Sequence, residues 1–120
     1  MYQVVHIGDK EIPMLSMASV DVYYRQIFKK DSVKIQSSKD FDEGDLINFV
    51  GEMGFVMAKF AELKDRKEMA KLNEDAFIEW LEGFDRAEFM AALPDIRMVY
   101  EGQQIPVSES KKNSETPSDK

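Results

Sequence analysis

This chain contains no cysteine and a single histidine, His6. The first absence removes disulfides and thiolate metal sites. With one imidazole, a transition-metal centre would have to be built almost wholly from carboxylates. A nucleophile–imidazole–acid triad would need His6 as its base, and His6 sits in a strand-like segment with no usable pattern around it. Its ordinary reading is a strand residue. No apolar run approaches the roughly 20 residues that span a bilayer. The opening Met-Tyr-Gln-Val-Val-His-Ile lacks a basic segment leading into an apolar one, so neither a membrane span nor a secretory leader is expected. The one glycine of His6-Ile7-Gly8-Asp9-Lys10 is too few for a phosphate-cradling loop.

What is present divides the 120 residues in two. Residues 1–102 are apolar-rich and patterned, long enough for one compact domain. Residues 103–120 carry only Ile105 and Val107 as sizeable apolar groups and no aromatic. Such a segment buries too little surface to offset its ordering entropy, so a disordered polar tail is expected. The net charge is −7, and the tail contributes nothing to it because Glu109, Glu115 and Asp119 balance Lys111, Lys112 and Lys120. An acidic body repels nucleic-acid phosphate, which excludes direct DNA or RNA binding, and it favours solubility or a basic partner.

The expected fold class is α+β and mostly helical, with an N-terminal β-hairpin followed by four to five helices. Tyr2–Ile7 and Lys10–Met14 read as strands around Gly8-Asp9, with Pro13 restricting the second to a short or edge position. A helix capped by Ser16 or Ser19 is expected to run to about Lys29, with Val20, Tyr23, Tyr24 and Ile27 at helical spacing. Residues 30–42 read as a long polar connection, with room for a short extra strand. The longest helix is expected over 43–69, its stripe formed by residues such as Leu46, Phe49, Val50, Met53, Met57 and Phe60. Gly51 and Gly54 inside it imply either a kink or a close helix crossing. Asn73 caps a helix that Gly83 ends. Asp85, with Glu88 three residues on, approximates a capping box for another, which Pro94 is expected to end before a last turn through Tyr100.

Chemistry-bearing patterns are few. Asp40-Phe41-Asp42-Glu43-Gly44-Asp45 is acidic enough for a calcium loop. Counted from Asp40, however, Gly44 falls where the fifth ligand is needed, Asp45 where glycine is needed, and Gly51 at the twelfth position. The segment is better read as the acidic first turn of a helix. Trp80 and the phenylalanines read as core. No catalytic constellation, metal site or cofactor site is expected. The eight methionines are the unusual element. Methionine packs adaptably and is over-used where varied apolar partners are received. Phe49, Met53, Met57, Phe60, Met90 and Met98 are therefore the candidate partner-binding surface, of the helix-in-groove kind.

The order and spacing of several segments resemble the tail assembly chaperones of long-tailed phages of Gram-positive bacteria. The segments are Ile7-Gly8-Asp9-Lys10-Glu11-Ile12-Pro13, Phe55-Val56-Met57-Ala58-Lys59, Phe77-Ile78-Glu79-Trp80-Leu81-Glu82-Gly83-Phe84 and the polar tail. The resemblance implies a non-enzymatic protein of the host cytoplasm, absent from the mature virion. It would coat the helical tape-measure protein, keep it soluble, associate with itself along the tape and help recruit tail-tube subunits. It also implies a longer frameshifted form that contacts the tube protein. If Lys111-Lys112-Asn113 is encoded AAA-AAA-AA(C/T), that run is slippery, and AAG at either lysine codon removes it. Two other roles fit the same composition: a head–tail connector component incorporated in the virion, and an acidic regulator that binds a basic host protein.

Overall fold

The computed structural model describes residues 1–106. In chain order they form β1 (Tyr2–Ile7), β2 (Lys10–Leu15), α1 (Val20–Phe28), α2 (Ser32–Ser37), α3 (Glu43–Leu63), α4 (Arg66–Met69), α5 (Glu74–Leu81) and α6 (Arg86–Tyr100). The protein is α+β and mostly helical with a leading hairpin, as expected, although the helices number six. None of them is long and apolar enough to cross a membrane, among the described residues.

The hairpin turns through Gly8-Asp9, and Gly8 adopts the positive φ of 64° that a side chain would resist. Met1 and Ser16 exchange backbone hydrogen bonds in both directions. Alternation along an antiparallel ladder then makes Val4–Pro13 a non-hydrogen-bonded pair. The nitrogen of Pro13 faces the free edge of a two-stranded sheet, where the missing N–H costs nothing. Val5, Ile7 and Met14 point inward and are buried, while Tyr2, Val4, His6, Glu11 and Pro13 face out.

Four expectations about the helices are corrected. Ser19 stands at the N-cap of α1 but its side chain makes no capping bond. The connection after Lys29 is not irregular or a strand. Asp31 accepts the N–H groups of Val33 and Lys34 at 3.0 and 3.1 Å and nucleates α2. Those backbone bonds also hold the Asp31 carboxyl below its usual range, the one from Lys34 most of all. The long helix stops at Leu63 rather than at Met69, because Lys64 turns left-handed with φ 50°. Asp65 then caps α4, whose Met69 is fully buried. Pro94 does not end α6. The helix loses one amide donor there, at a typical cost of about 3 kcal/mol, and is held by its buried stripe of Ala92, Leu93, Ile96 and Val99.

The remaining caps are mixed. Asp42 and Asp45 form a reciprocal capping box at the start of α3, as an acidic first turn would. Asn73 caps α5 through the N–H of Ala76. Asp85 accepts the N–H groups of Ala87 and Glu88, but Glu88 does not return the bond. Gly83 follows α5 without the left-handed conformation of a glycine cap.

The hairpin's inner face, α1, α3 and α6 enclose the core. Gly54 marks a close crossing. A Cβ placed there would lie 3.0 Å from Cγ2 of Ile96 on α6. After α6, Gln3 ties the chain to β1, its amide donating to the Gln103 carbonyl and accepting from the Ile105 N–H, each at 2.8 Å. Gln103–Ile105, assigned to the tail on sequence, are therefore attached to the body. The rest of the expected tail, 107–120, lies outside the described residues.

Candidate partner-binding groove

A groove of about 390 Å³ opens between α3, α5 and α6. The α3 wall is Ile47, Asn48 and Gly51, one helical turn. The α5 wall is Phe77 and Leu81, again one turn apart, and Phe84, Phe89 and Met90 close the far side. Gly51 keeps the floor low, since a Cβ there would already lie 3.5 Å from the Phe89 ring. The walls are stiffened by edge-to-face aromatic contacts. Phe77 lies 5.2 Å from Phe28 and 5.5 Å from Phe55, and Trp80 packs 5.0 Å from Phe84 and 5.7 Å from Phe89. Lys10 reaches from the hairpin, its ammonium 5.2 Å from the centre of the Phe84 ring and bonded to the Gly83 carbonyl.

The polar groups of the groove are mostly spoken for. Glu52 is only 7% exposed. It accepts from the Tyr24 hydroxyl at 2.7 Å and from the Lys30 ammonium at 3.0 Å. Burial, and secondarily the Glu52 carboxylate, push the Tyr24 hydroxyl well above its ordinary pKa. Arg86 is the lining cation with no ion-pair partner among the described residues. A second hollow of about 290 Å³ adjoins the first, sharing Lys30 and Asn48 and extending to Asp40, Phe41 and Asp45.

Acidic residues are concentrated in two stretches of the chain. Residues 40–58 hold Asp40, Asp42, Glu43, Asp45 and Glu52 with no lysine or arginine. Residues 74–88 hold six acids against Arg86. Each stretch carries a net −5, and the other described residues together are net +3.

Elsewhere the titratable groups serve structure. The Tyr100 hydroxyl donates to Asp21 at 2.8 Å, and Ser32 donates to the same oxygen at 2.8 Å, tying α6, α1 and α2 together. Burial first, and then Asp21, push the Tyr100 hydroxyl up to about 12. His6 is exposed on the outer hairpin face, 3.6 Å from Glu11. Among the described residues, no group of three or more histidines and carboxylates gathers as a metal site would require.

The expected surface is only partly assembled. Met53 and Met57 are fully buried and Phe49 is 3% exposed, so these three belong to the core and not to a surface. They sit under the hairpin, α1 and α6, which pack over this part of α3. Phe60 is half-buried against Tyr23, at 5.3 Å between ring centres, and Met98 is half-buried near the end of α6. Met90 alone of the six lines the groove. Ile47, Phe77, Leu81, Phe84 and Phe89 were missed as surface. A signal for them lay in α5. Phe77, Ile78, Trp80 and Leu81 spread over more of the helix than one buried face needs, and no residue of α5 is fully buried. Ile78 is 49% exposed.

No family model, curated protein or solved structure matches this chain.

Proposed function

We propose that this protein is a tail assembly chaperone that binds the tape-measure protein of a long-tailed phage through the groove between α3, α5 and α6. The observation that carries the reading is the groove itself. It is a largely apolar trough with stiff aromatic walls and one adaptable methionine, the form in which an amphipathic helix is received. The resemblance of the hairpin, α3 and α5 segments to such chaperones supplies the identity of the partner. A tape measure presents long helical faces that aggregate when uncovered, and an acidic coat repels other coated copies. Self-association along the tape would multiply weak contacts through effective concentration. The protein acts in the cytoplasm of the bacterial host, is left out of the finished virion, and reaches tail-tube subunits through a longer frameshifted form. It works without a cofactor and without catalysis.

Co-expression with a candidate tape-measure protein tests the proposal. The tape is expected in the soluble fraction only when the chaperone is present, and a tape that is equally insoluble in both cases sinks the reading. The concentration of acid in residues 40–58 and 74–88 favours one second reading, a regulator that covers a basic host protein. That role leaves tape solubility unchanged and gives a complex that dissociates steeply with salt.

A further inference from the structure

We infer that the segment received by this groove is an amphipathic helix carrying a carboxylate beside its apolar stripe, and that Arg86 binds that carboxylate. The inference rests on the groove being the docking surface, as proposed above, and it adds the chemistry that fixes the occupant's register.

Lys30, Glu52 and Arg86 are the charged side chains of the lining, and Lys30 with Arg86 against Glu52 leaves it at net +1. Lys30 and Glu52 neutralise each other at 3.0 Å. Arg86 enters no ion pair among the described residues. Its acidic neighbours in sequence are engaged elsewhere. Asp85 accepts the N–H groups of Ala87 and Glu88, and the Glu88 carboxyl group lies against Gly8 of the hairpin. Nor does Arg86 serve its own helix. It occupies the first position of α6, where the helix dipole disfavours a cation. α3 and α5 follow the favourable rule and open with Glu43 and Asp45, and with Glu74 and Asp75. An exposed, unpaired arginine in an unfavourable place beside Phe84, Phe89 and Met90 is a charge available to a partner. Its guanidinium presents a planar fork of donors that matches a carboxylate, and the apolar lining lowers the local dielectric.

Size sets the rest of the occupant's surface. One turn of helix, roughly 5.4 Å in pitch and about 10 Å across, has about the volume of the whole groove, 390 Å³. The groove thus admits the side chains of one face while the body of the helix stays outside. Apolar side chains enter between the wall of Ile47 and Gly51 and the wall of Phe77 and Leu81, and the carboxylate lies on the flank turned toward α6. A chain of net charge −7 disfavours a uniformly acidic helix, so the groove selects one placed acid and not overall charge.

Trp80, the sole tryptophan, packs against Phe84 and Phe89 and reports on the groove. The test uses the full chain and tryptophan-free synthetic helical peptides with one leucine–phenylalanine stripe and glutamine flanks. A single glutamate, or a single lysine, is moved through the flanking positions, and binding is read as a saturable change in Trp80 fluorescence. At one position the glutamate peptide is expected to bind at least about threefold tighter than the glutamine parent and the lysine peptide weaker, with the gain shrinking as salt rises. Arg86→Glu should reverse that preference at the same position. Arg86 is exposed and a carboxylate in the first helical turn is favourable, so the variant keeps its fold. Met90→Ala should weaken every peptide. If no glutamate position gains, or the gain survives Arg86→Glu, the carboxylate inference is overturned while Met90-dependent docking stands. If lysine peptides bind tightest, the occupant is basic and the inference fails. A dimer that Met90→Ala dissociates and no peptide displaces, seen by sedimentation, makes the occupant a second copy and also overturns it. Peptide binding that ignores Met90→Ala is binding elsewhere and sinks it too. Absence of binding by any peptide overturns the inference together with groove docking.

Discussion

Met57 and Met90 occupy inward stripes of helices that pack against each other, and the fold treats them oppositely. Met57, in the second half of α3, is fully covered by neighbouring elements. Met90, in the first half of α6, is half-buried and faces an open trough. The same contrast separates the two glycines of α3. Gly54 is pressed against Ile96, whereas Gly51 has an ordinary van der Waals distance to Phe89 and a hollow above it. The two halves of α3 thus differ less in composition than in what lies over them. An inward-facing stripe becomes core only where another element arrives to cover it.

The largest expected effect separates the methionines. Met57→Ala should lower folding stability by about 2–5 kcal/mol, as for other large-to-small changes in a closed core. Met90→Ala should cost about 1 kcal/mol, half of a full burial. Chemical denaturation measures both, and equal losses would show that Met90 is core and that the groove is no separate region.

The glycines sharpen the contrast at a smaller scale. Gly54→Ala must push the buried Ile96 aside, which costs about 1–3 kcal/mol and outweighs the roughly 1 kcal/mol gained in helix propensity. Gly51→Ala meets no such obstacle and should leave stability unchanged or raise it by up to about 1 kcal/mol. A Gly54→Ala protein at least as stable as the parent would deny the close crossing of α3 and α6.

The smallest effect concerns the Tyr100 hydroxyl, which lies outside both halves of the comparison. Its folded pKa is raised from 10.0 to about 12, so folding favours the protonated form. That contribution is complete below pH 10 and is lost as pH climbs from 10 through 12. Tyr24 shifts in the same direction for the same main reason, burial. Melting temperature followed against pH should fall on this alkaline limb. Tyr100→Phe should start lower, by the loss of a bond worth about 1 kcal/mol, and fall less steeply. Parallel curves through pH 12 would show that Tyr100 does not titrate with folding.

Much of the fold was legible because local rules fixed it. Gly8-Asp9 set the hairpin, Asn73 set one helix start, the acidic turn of residues 40–45 marked another, and the apolar stripe set most of α3. The failures share a cause. α2 has too few apolar residues to announce a helix; Asp31 caps it, and Ser32 and Ile35 tie it to the body. Lys64 carries no breaker signal, and the turn it makes is stabilised by the burial of Met69 beyond it. Pro94 announces a stop that the packing of Leu93, Ile96 and Val99 overrides. The groove was the least legible part. Three of its six expected residues are core, and α5 supplies walls that periodicity alone reads as core.

Composition and spacing by themselves determined the class of protein: an acidic, cysteine-free α+β body with a leading hairpin, and the apolar stripes of its longer helices. Tertiary structure alone decided which inward faces are closed and which stay open. The physical reason is that periodicity states only that a stripe avoids water. Whether a neighbouring helix, the hairpin or a visiting chain provides that shelter depends on contacts between residues far apart in sequence.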